Sequence, residues 1–430
     1  MGRRAYDCDM SSQRPVQPAT ERHGTPSGVI DHAAGLLEDA RSVRRDLHRW
    51  PEVGLDLPKT KDRVLEALDG LPLDITLHKT TSGIAALLTG DKPGPTVMLR
   101  GDMDALPMPE DTGLDYASKV DNVMHACGHD THVAMLAGAA RMLSERKSSL
   151  PGRVLFMFQP GEEGYGGAEY MLDEGLLDVP PLADGTPSPI SAAYAIHITS
   201  SMPAGMIGTK GGSVMASSDS FDIVITGKGG HASEPVRTFD PVPVTCEIVQ
   251  AIQAMVTRRF DIFDPTVVTV TRLVAGTAYN VIPESARIQG TIRAISAKTR
   301  SSVHELIQRV ADGVATAHGC NAETTVNLGY PVTVNDVPSA DFGLDIAEAL
   351  VGEKQVVRMP NPVMGAEDFS YVLEKLPGAM LFLGGTPHNK DPRTAAPNHS
   401  NRVMFEEDAM TTGMALYSSL ALRTLGVTLD

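Results

Sequence analysis

The sequence predicts an α/β fold, a mainly parallel sheet flanked by helices, with a smaller α+β unit of order βαββαβ inserted into it. Three observations carry that expectation. Apolar strand-like runs alternate with segments of helical period through the first half of the chain, the pattern of parallel strands joined by covering helices. Near GTKGGSVMASS the texture changes and the elements follow a different order. A length of 430 residues exceeds one ordinary domain, which fits a large domain carrying an insertion.

In chain order, the strand Thr96 to Leu99 lies in PTVMLRGDMDALP, Arg153 to Phe158 in GRVLFMFQPGEE, and Ser191 to Ile196 in ISAAYAIHI. Each run ends in ionisable residues. Ligands of open α/β sheets sit beyond the carboxyl ends of the strands, so three endings far apart in sequence can converge. Between the first two, Val133, Leu136, Ala137 and Ala140 recur at helical spacing, which predicts a helix from His129 to Ser144 entered by the loop CGHD. After about Val214 the chain reads as strand (Phe221 to Thr226), helix (Val242 to Arg258), strand (Thr266 to Leu273), strand (Ala286 to Ala294), helix (Lys298 to His318) and strand (Ala322 to Leu328). The larger unit then resumes with a helix from Ser339 to Val351, MGAEDFSYVLEKL, the strand AMLFLGG and a last helix from about Phe405 to Leu425. The expected division is a disordered leader over residues 1–28, a first part of the larger domain over 29–212, the insert over 213–328, and a second part over 329–430.

Composition narrows the function. A net charge of −16 argues against nucleic acid, whose phosphates draw on surplus Lys and Arg. No apolar run approaches the roughly 18–20 residues of a membrane span. Cys8, Cys127, Cys246 and Cys320 are scattered without a CxxC, as in a reduced cytosolic protein. The leader is rich in Pro, Ser, Thr and charge; Arg3-Arg4 imitates a twin-arginine start, but no hydrophobic stretch follows. A cytoplasmic protein acting on a small molecule is expected.

The stretch HACGHDTHVA packs three His, one Cys and one Asp into ten residues. With Glu162, Glu163, His197 and His399, Cys127 and His129 supply thiolate, imidazole and carboxylate, the donors that hold divalent transition metals. Adjacent acids at a strand end can divide the labour, one binding metal and the other remaining free as a base beside a water acidified by the cation. Alone, each part has a plainer reading: a buried Cys, a solvated QPGEEG turn, a strand histidine, a loop histidine. Their coincidence at the expected strand ends is what points to metal-assisted hydrolysis. His125 and His132 compete for the ligand role and spacing does not exclude them, although both rank behind His129 as groups that back the ligands. Asp102 and Asp104, ending the strand in LRGDMDALP, are expected to orient ligand imidazoles.

The motifs RRDLHRWPEVG, LRGDMDALPM, MHACGHDTHVAML, FQPGEEGYGGAEYM, AIHI, GKGGHASEP, NVIPESARIQGTIR, MGAEDFSYV and PNHS span Arg44 to Ser400. Through them the chain resembles the di-metal aminoacylase and carboxypeptidase superfamily, in the branch of hippurate hydrolases, N-acyl-amino-acid amidohydrolases and plant indoleacetyl-amino-acid hydrolases. The resemblance implies two divalent cations held by Cys127, His129, Glu163, His197 and His399, with Glu162 as general base and Cys127 in place of the bridging aspartate of the wider superfamily. It further implies that His231 stabilises an oxyanion, often from the neighbouring subunit, that Asn280 contacts substrate, that Glu367 lies near the site, and that the insert serves as lid and dimer surface of a homodimer or higher oligomer. A thiolate donor favours zinc, and the branch also admits manganese, cobalt or nickel. Three other readings stand beside this one: a dipeptidase, carboxypeptidase or N-acyl-diaminopimelate deacylase of the same superfamily; a metal-free amidase with Cys127 as nucleophile; and a noncatalytic metal- or ligand-binding protein on the same fold.

Overall fold

Eight strands form the larger sheet in the computed structural model of the chain, which describes residues 27–429. Their spatial order is Leu73–Leu77, Ile84–Thr89, Pro151–Gln159, Lys92–Asp102, Ile190–Pro203, Gly378–Thr386, Ile207–Thr209 and Val356–Arg358. The middle four are mutually parallel. Because side chains alternate along a strand, each of these four feeds two cores. Val97, Leu99, Val154, Phe156, Tyr194 and Ile196 point to one face, under the long helices Leu37–Arg49, His129–Ser144, Val337–Val351 and Ala409–Thr424. Met98, Leu155, Met157, Ala193 and Ala195 point to the other, against the short helices Gly167–Asp173 and Ser370–Leu373. The antiparallel edge strands, and the helices Ser27–Gly35, Leu37–Arg49 and Pro58–Leu68 that precede them, were not anticipated from the sequence.

The second sheet has four antiparallel strands in the order Thr266–Ala275, Ser285–Ala294, Asp219–Thr226 and Asn321–Leu328. Helices Pro241–Arg259 and Ala297–Ala317 share one apolar core with it, through Ile248, Ile252, Val303 and Ile307. Both helices start as their sequences dictate: the Asp240 carboxylate accepts from the Val242 amide and the Ser296 hydroxyl from the Thr299 amide. This is the βαββαβ order expected over residues 213–328. The chain enters and leaves it side by side, where the Ser218 amide donates to the Tyr330 carbonyl at 3.0 Å. Asp219 pins the crossing, accepting from Arg300, His304 and the Gly329 amide.

Two expectations are corrected. The strand expected to end at Ile196 runs on to Pro203, so His197 lies within the ladder, opposite Phe382, rather than beyond a strand end. Pairing with Gly378–Thr386, a strand distant in sequence, is what extends it. Of the expected leader, residues 27 and 28 open the first helix, and the rest, with Cys8 and Arg3-Arg4, lies outside the described residues.

Candidate metal centre

Backbone constraints assemble the site. Gly128, at φ +94°, caps the helix that begins with His129, and a Cβ there would lie 2.4 Å from Ile198 Cγ2, so only glycine allows Cys127 and His129 to flank so tight an entry. Across from it, the Asn398 side-chain amide donates to the carbonyls of Cys127 (3.0 Å) and Ile198 (3.1 Å), and its oxygen accepts from the Ser200 amide. His399 follows in the left-handed region at φ +67°, uncommon for a residue with a Cβ, and its amide donates to the Ala126 carbonyl. The Asp104 carboxylate accepts from the amides of Glu162 (2.9 Å) and Glu163 (3.0 Å), fixing the turn that follows Gln159.

The structure brings Cys127, His129, Glu163, His197 and His399 together. Cys127 Sγ lies 3.4 Å from His197 Nε2 and 3.3 Å from His399 Nε2, and His399 Nε2 lies 3.3 Å from Glu163 Oε1. Two triads of donors share the thiol: Cys127, His129 and His197 in one, and Cys127, Glu163 and His399 in the other, with donor atoms inside each within 4.8 Å. A sulfur and a nitrogen bound tetrahedrally to one zinc ion stand about 3.5 Å apart. The ring orientations agree with a ligand role. His129 Nδ1 is 2.9 Å from the Asp104 carbonyl and His197 Nδ1 is 2.7 Å from the Ile198 carbonyl, contacts in which the rings donate and which leave both Nε2 lone pairs facing the cluster. Buried His129 Nε2 and Glu163 Oε1 lack hydrogen-bond partners and sit 4.0 Å from each other. Such orphaned acceptors fit a shared cation.

His132 is engaged by hydrogen bonds at both ring nitrogens. Its Nδ1 meets Asp102 at 2.5 Å and its Nε2 accepts from the Ile198 amide at 2.8 Å, so both ring nitrogens are consumed in tying the helix to the strand that bears His197. Asp102 therefore orients His132, and it stands 3.5 Å from His129 Nε2. Asp104 holds His129 through its backbone carbonyl rather than its carboxylate, which the two amides have taken. His125 is buried with both ring nitrogens unpartnered, and burial keeps it neutral, with a pKa pushed down to about 3.

Electrostatics separate the two glutamates. Burial, together with the Glu367, Glu163 and Asp368 carboxylates, pushes Glu162 well above the usual carboxylate range. Burial acts on Glu163 too, but the close approach of the His399 ring at 3.3 Å and the His129 charge outweigh it and hold Glu163 low. Behind Glu162 lies a buried cluster missed in the sequence: Arg100 donates to Asp102 (2.7 Å), Glu367 (2.7 Å) and Asp368 (3.1 Å), and Gln159 donates to Asp368. Glu367, expected near the site without a role, is thus an Arg100 partner. A second missed cluster joins Arg44, His48 and Glu110 to Asp130, beside His129. Arg44 and Arg100 sit in quoted motifs, yet in one sequence a buried arginine looks like a surface one.

His231 and Asn280 lie elsewhere. Both are exposed on the insert, His231 in the two-residue pairing Gly230–His231 with Val281–Ile282, where its Nδ1 accepts from the Ser233 hydroxyl, and Asn280 just before it, its carbonyl accepting from the Ala232 amide. Among the described residues, no hydrogen bond or ion pair joins either to the metal donors.

Comparison with known proteins agrees with this geometry. The pattern of Peptidase family M20/M25/M40 matches residues 98–423. Thermostable carboxypeptidase 1 of Saccharolobus solfataricus is 36% identical over 385 residues, covering 89% of this chain and 94% of its own. N-acetylcysteine deacetylase of Bacillus subtilis is 36% identical over 387 residues, 89% of this chain and 96% of its own. The crystal structure of the B. subtilis YXEP protein, described as a dinuclear metal binding peptidase from the M20 family, superposes with a TM-score of 0.78 at 32% identity over 92% of this chain and all of its own. In sequence and in fold, the chain belongs to peptidase family M20/M25/M40.

Proposed function

We propose that the chain is a metal-dependent amidohydrolase that cleaves the amide bond of N-acyl amino acids, releasing a carboxylate and a free amino acid. One observation carries the reading: Glu162, a buried carboxyl of raised proton affinity, adjoins two donor triads, and no hydrogen bond among the described residues occupies its carboxyl oxygens. A noncatalytic binder has no use for such a group. Bound divalent cations would polarise the scissile carbonyl and acidify the attacking water. Cys127, His129, Glu163, His197 and His399 would hold them. Glu162 would accept the water's proton and pass it to the departing nitrogen, a task suited to a base whose proton affinity burial has raised. His231, from a neighbouring subunit, would stabilise the oxyanion, and Asn280 would contact substrate.

Support for the substrate class comes from similarity to a protein named for N-acetylcysteine deacetylation. Similarity to a thermostable carboxypeptidase favours dipeptides or short peptides as a second reading. The donor set fits zinc or manganese, with cobalt and nickel admissible. A homodimer or higher oligomer paired through the insert accounts for exposed Val281, which pairs with His231, and for exposed Tyr279, Leu273 and Val274 on the same insert. No helix among the described residues is long and apolar enough to cross a membrane, and the free thiols of Cys127, Cys246 and Cys320 accord with the cytoplasm.

The test is Glu162→Gln, assayed beside the wild type on N-acetyl, N-benzoyl and dipeptide substrates with metal content measured in parallel. Full metal with lost turnover is expected; wild-type turnover would overturn the assignment. Light scattering bears on His231, since a strictly monomeric yet fully active enzyme contradicts its supply from a partner.

A further inference from the structure

The loop that carries Glu162 and Glu163 is held from two directions. On the sheet side, Asp104 accepts from the amides of both residues. From the opposite side comes Tyr330, which belongs to the segment by which the chain leaves the four-stranded insert. Its buried hydroxyl donates to the Glu162 carbonyl at 2.6 Å and accepts from the Gly166 amide at 2.9 Å, closing the loop like a clasp. The backbone of Tyr330 is bound to the entering segment as well, its carbonyl accepting from the Ser218 amide and its amide donating to the Ser218 hydroxyl. The next residues run into the short pairing of Thr333–Asn335 with Gly212–Met215, beside Glu367. One side chain thus spans the two-stranded crossing and the peptide group of the proposed base.

We propose that Tyr330 is a positioning residue for hydrolysis: the juxtaposition of its hydroxyl with the Glu162 carbonyl and the Gly166 amide ties the orientation of Glu162 to the seating of the insert at its crossing. The proposal rests on Glu162 as general base. Both partners of the Tyr330 hydroxyl are backbone atoms of the loop, so its effect reaches the reaction through the loop. A rotation of the insert about the crossing moves the Tyr330 backbone and, through two hydrogen bonds, the peptide from which the Glu162 side chain projects. Because proton transfer and attack depend steeply on placement, a displacement of about 1 Å can cost on the order of a hundredfold in rate.

Tyr330→Phe keeps the ring and its edge contact with Tyr371, at 6.1 Å between centroids, and removes only the hydroxyl. The expected result is a fall in kcat of about tenfold with KM within about twofold of wild type, because the loss falls on an interaction that matters in the transition state and not on substrate binding. Metal content should remain complete, since the donor side chains are untouched. Tyr371→Phe, which lacks any hydrogen bond to the loop, serves as control and should keep wild-type kcat. Unchanged kcat in Tyr330→Phe, or a loss matched by lost metal or by an equal loss in Tyr371→Phe, overturns the proposal. Glu162→Gln run alongside separates the two ideas: inactive Glu162→Gln with fully active Tyr330→Phe removes Tyr330 and leaves the base assignment, whereas active Glu162→Gln removes both.

Discussion

His129 and Glu163 are held by Asp104 and His197 by the carbonyl of its own neighbour Ile198, so the site's chemistry is decided one side chain at a time. His132 illustrates this most clearly, because both its ring nitrogens are hydrogen-bonded and bridge Asp102 to the strand of His197. Replacing it with alanine should leave the fold in place but weaken metal retention and turnover by about 10–100-fold, the usual cost of losing a group that backs a ligand, as measured by metal titration of the apo-protein. Cys127→Ala goes further. Both triads lose their common donor, so metal stoichiometry should collapse along with activity. If Cys127→Ala kept its metal but lost activity, the thiol would be a nucleophile instead.

Turns and crossings between elements hold these side chains at their working distances. Gly128→Ala would force a Cβ to within 2.4 Å of Ile198 at a φ of +94°, and destabilisation by roughly 1–3 kcal/mol is expected from denaturant unfolding. The crossing into the insert depends on Asp219, whose carboxylate is matched to Arg300 and His304 with little exposure. Removing it in Asp219→Ala strands a largely buried guanidinium, so about 3 kcal/mol should be lost. The boundaries of the helix His129–Ser144 were legible to the residue because a glycine punctuates its start and apolar spacing defines its face. The strand of His197 was misread for the opposite reason: TSSMP shows no apolar alternation, and its extension depends on a partner almost two hundred residues away.

Across the whole molecule, buried ion pairs make stability depend on pH in a direction that can be stated. His48 is buried, a cost offset by the Asp130 charge and by hydrogen bonds to Asp130 and Glu110, and its pKa is raised to about 9. The unfolded imidazole titrates near 6.5, so this stabilisation is complete below that value and fades as pH climbs through about 9. Asp130 and Asp219 are held low, each by charged partners that overcome burial, so their contribution is present above about pH 4 and is lost as pH falls toward their folded-state values. The stability gap between wild type and His48→Gln, followed by urea unfolding, should therefore narrow between pH 7 and about 9.5. Stripping metal with a chelator should lower Tm and abolish turnover, and zinc or manganese should restore both, since ligand bound only to the native state adds to its stability.

By itself the sequence determined the class of fold and pointed to the residues that the structure brings together at the site, because strand alternation, helical period and the reactivity of Cys, His and Glu are local properties. It also placed Asp102 and Asp104 beside His129. Tertiary structure alone decided what each of those groups does: that Asp104 spends its carboxylate on the Glu162 and Glu163 amides, that His132 has no free nitrogen, and that Arg100, Asn398 and Tyr330 hold the site together. Those assignments depend on which buried polar atoms meet. Such meetings are settled by packing between strands and loops hundreds of residues apart, where every polar group removed from water has to find a partner.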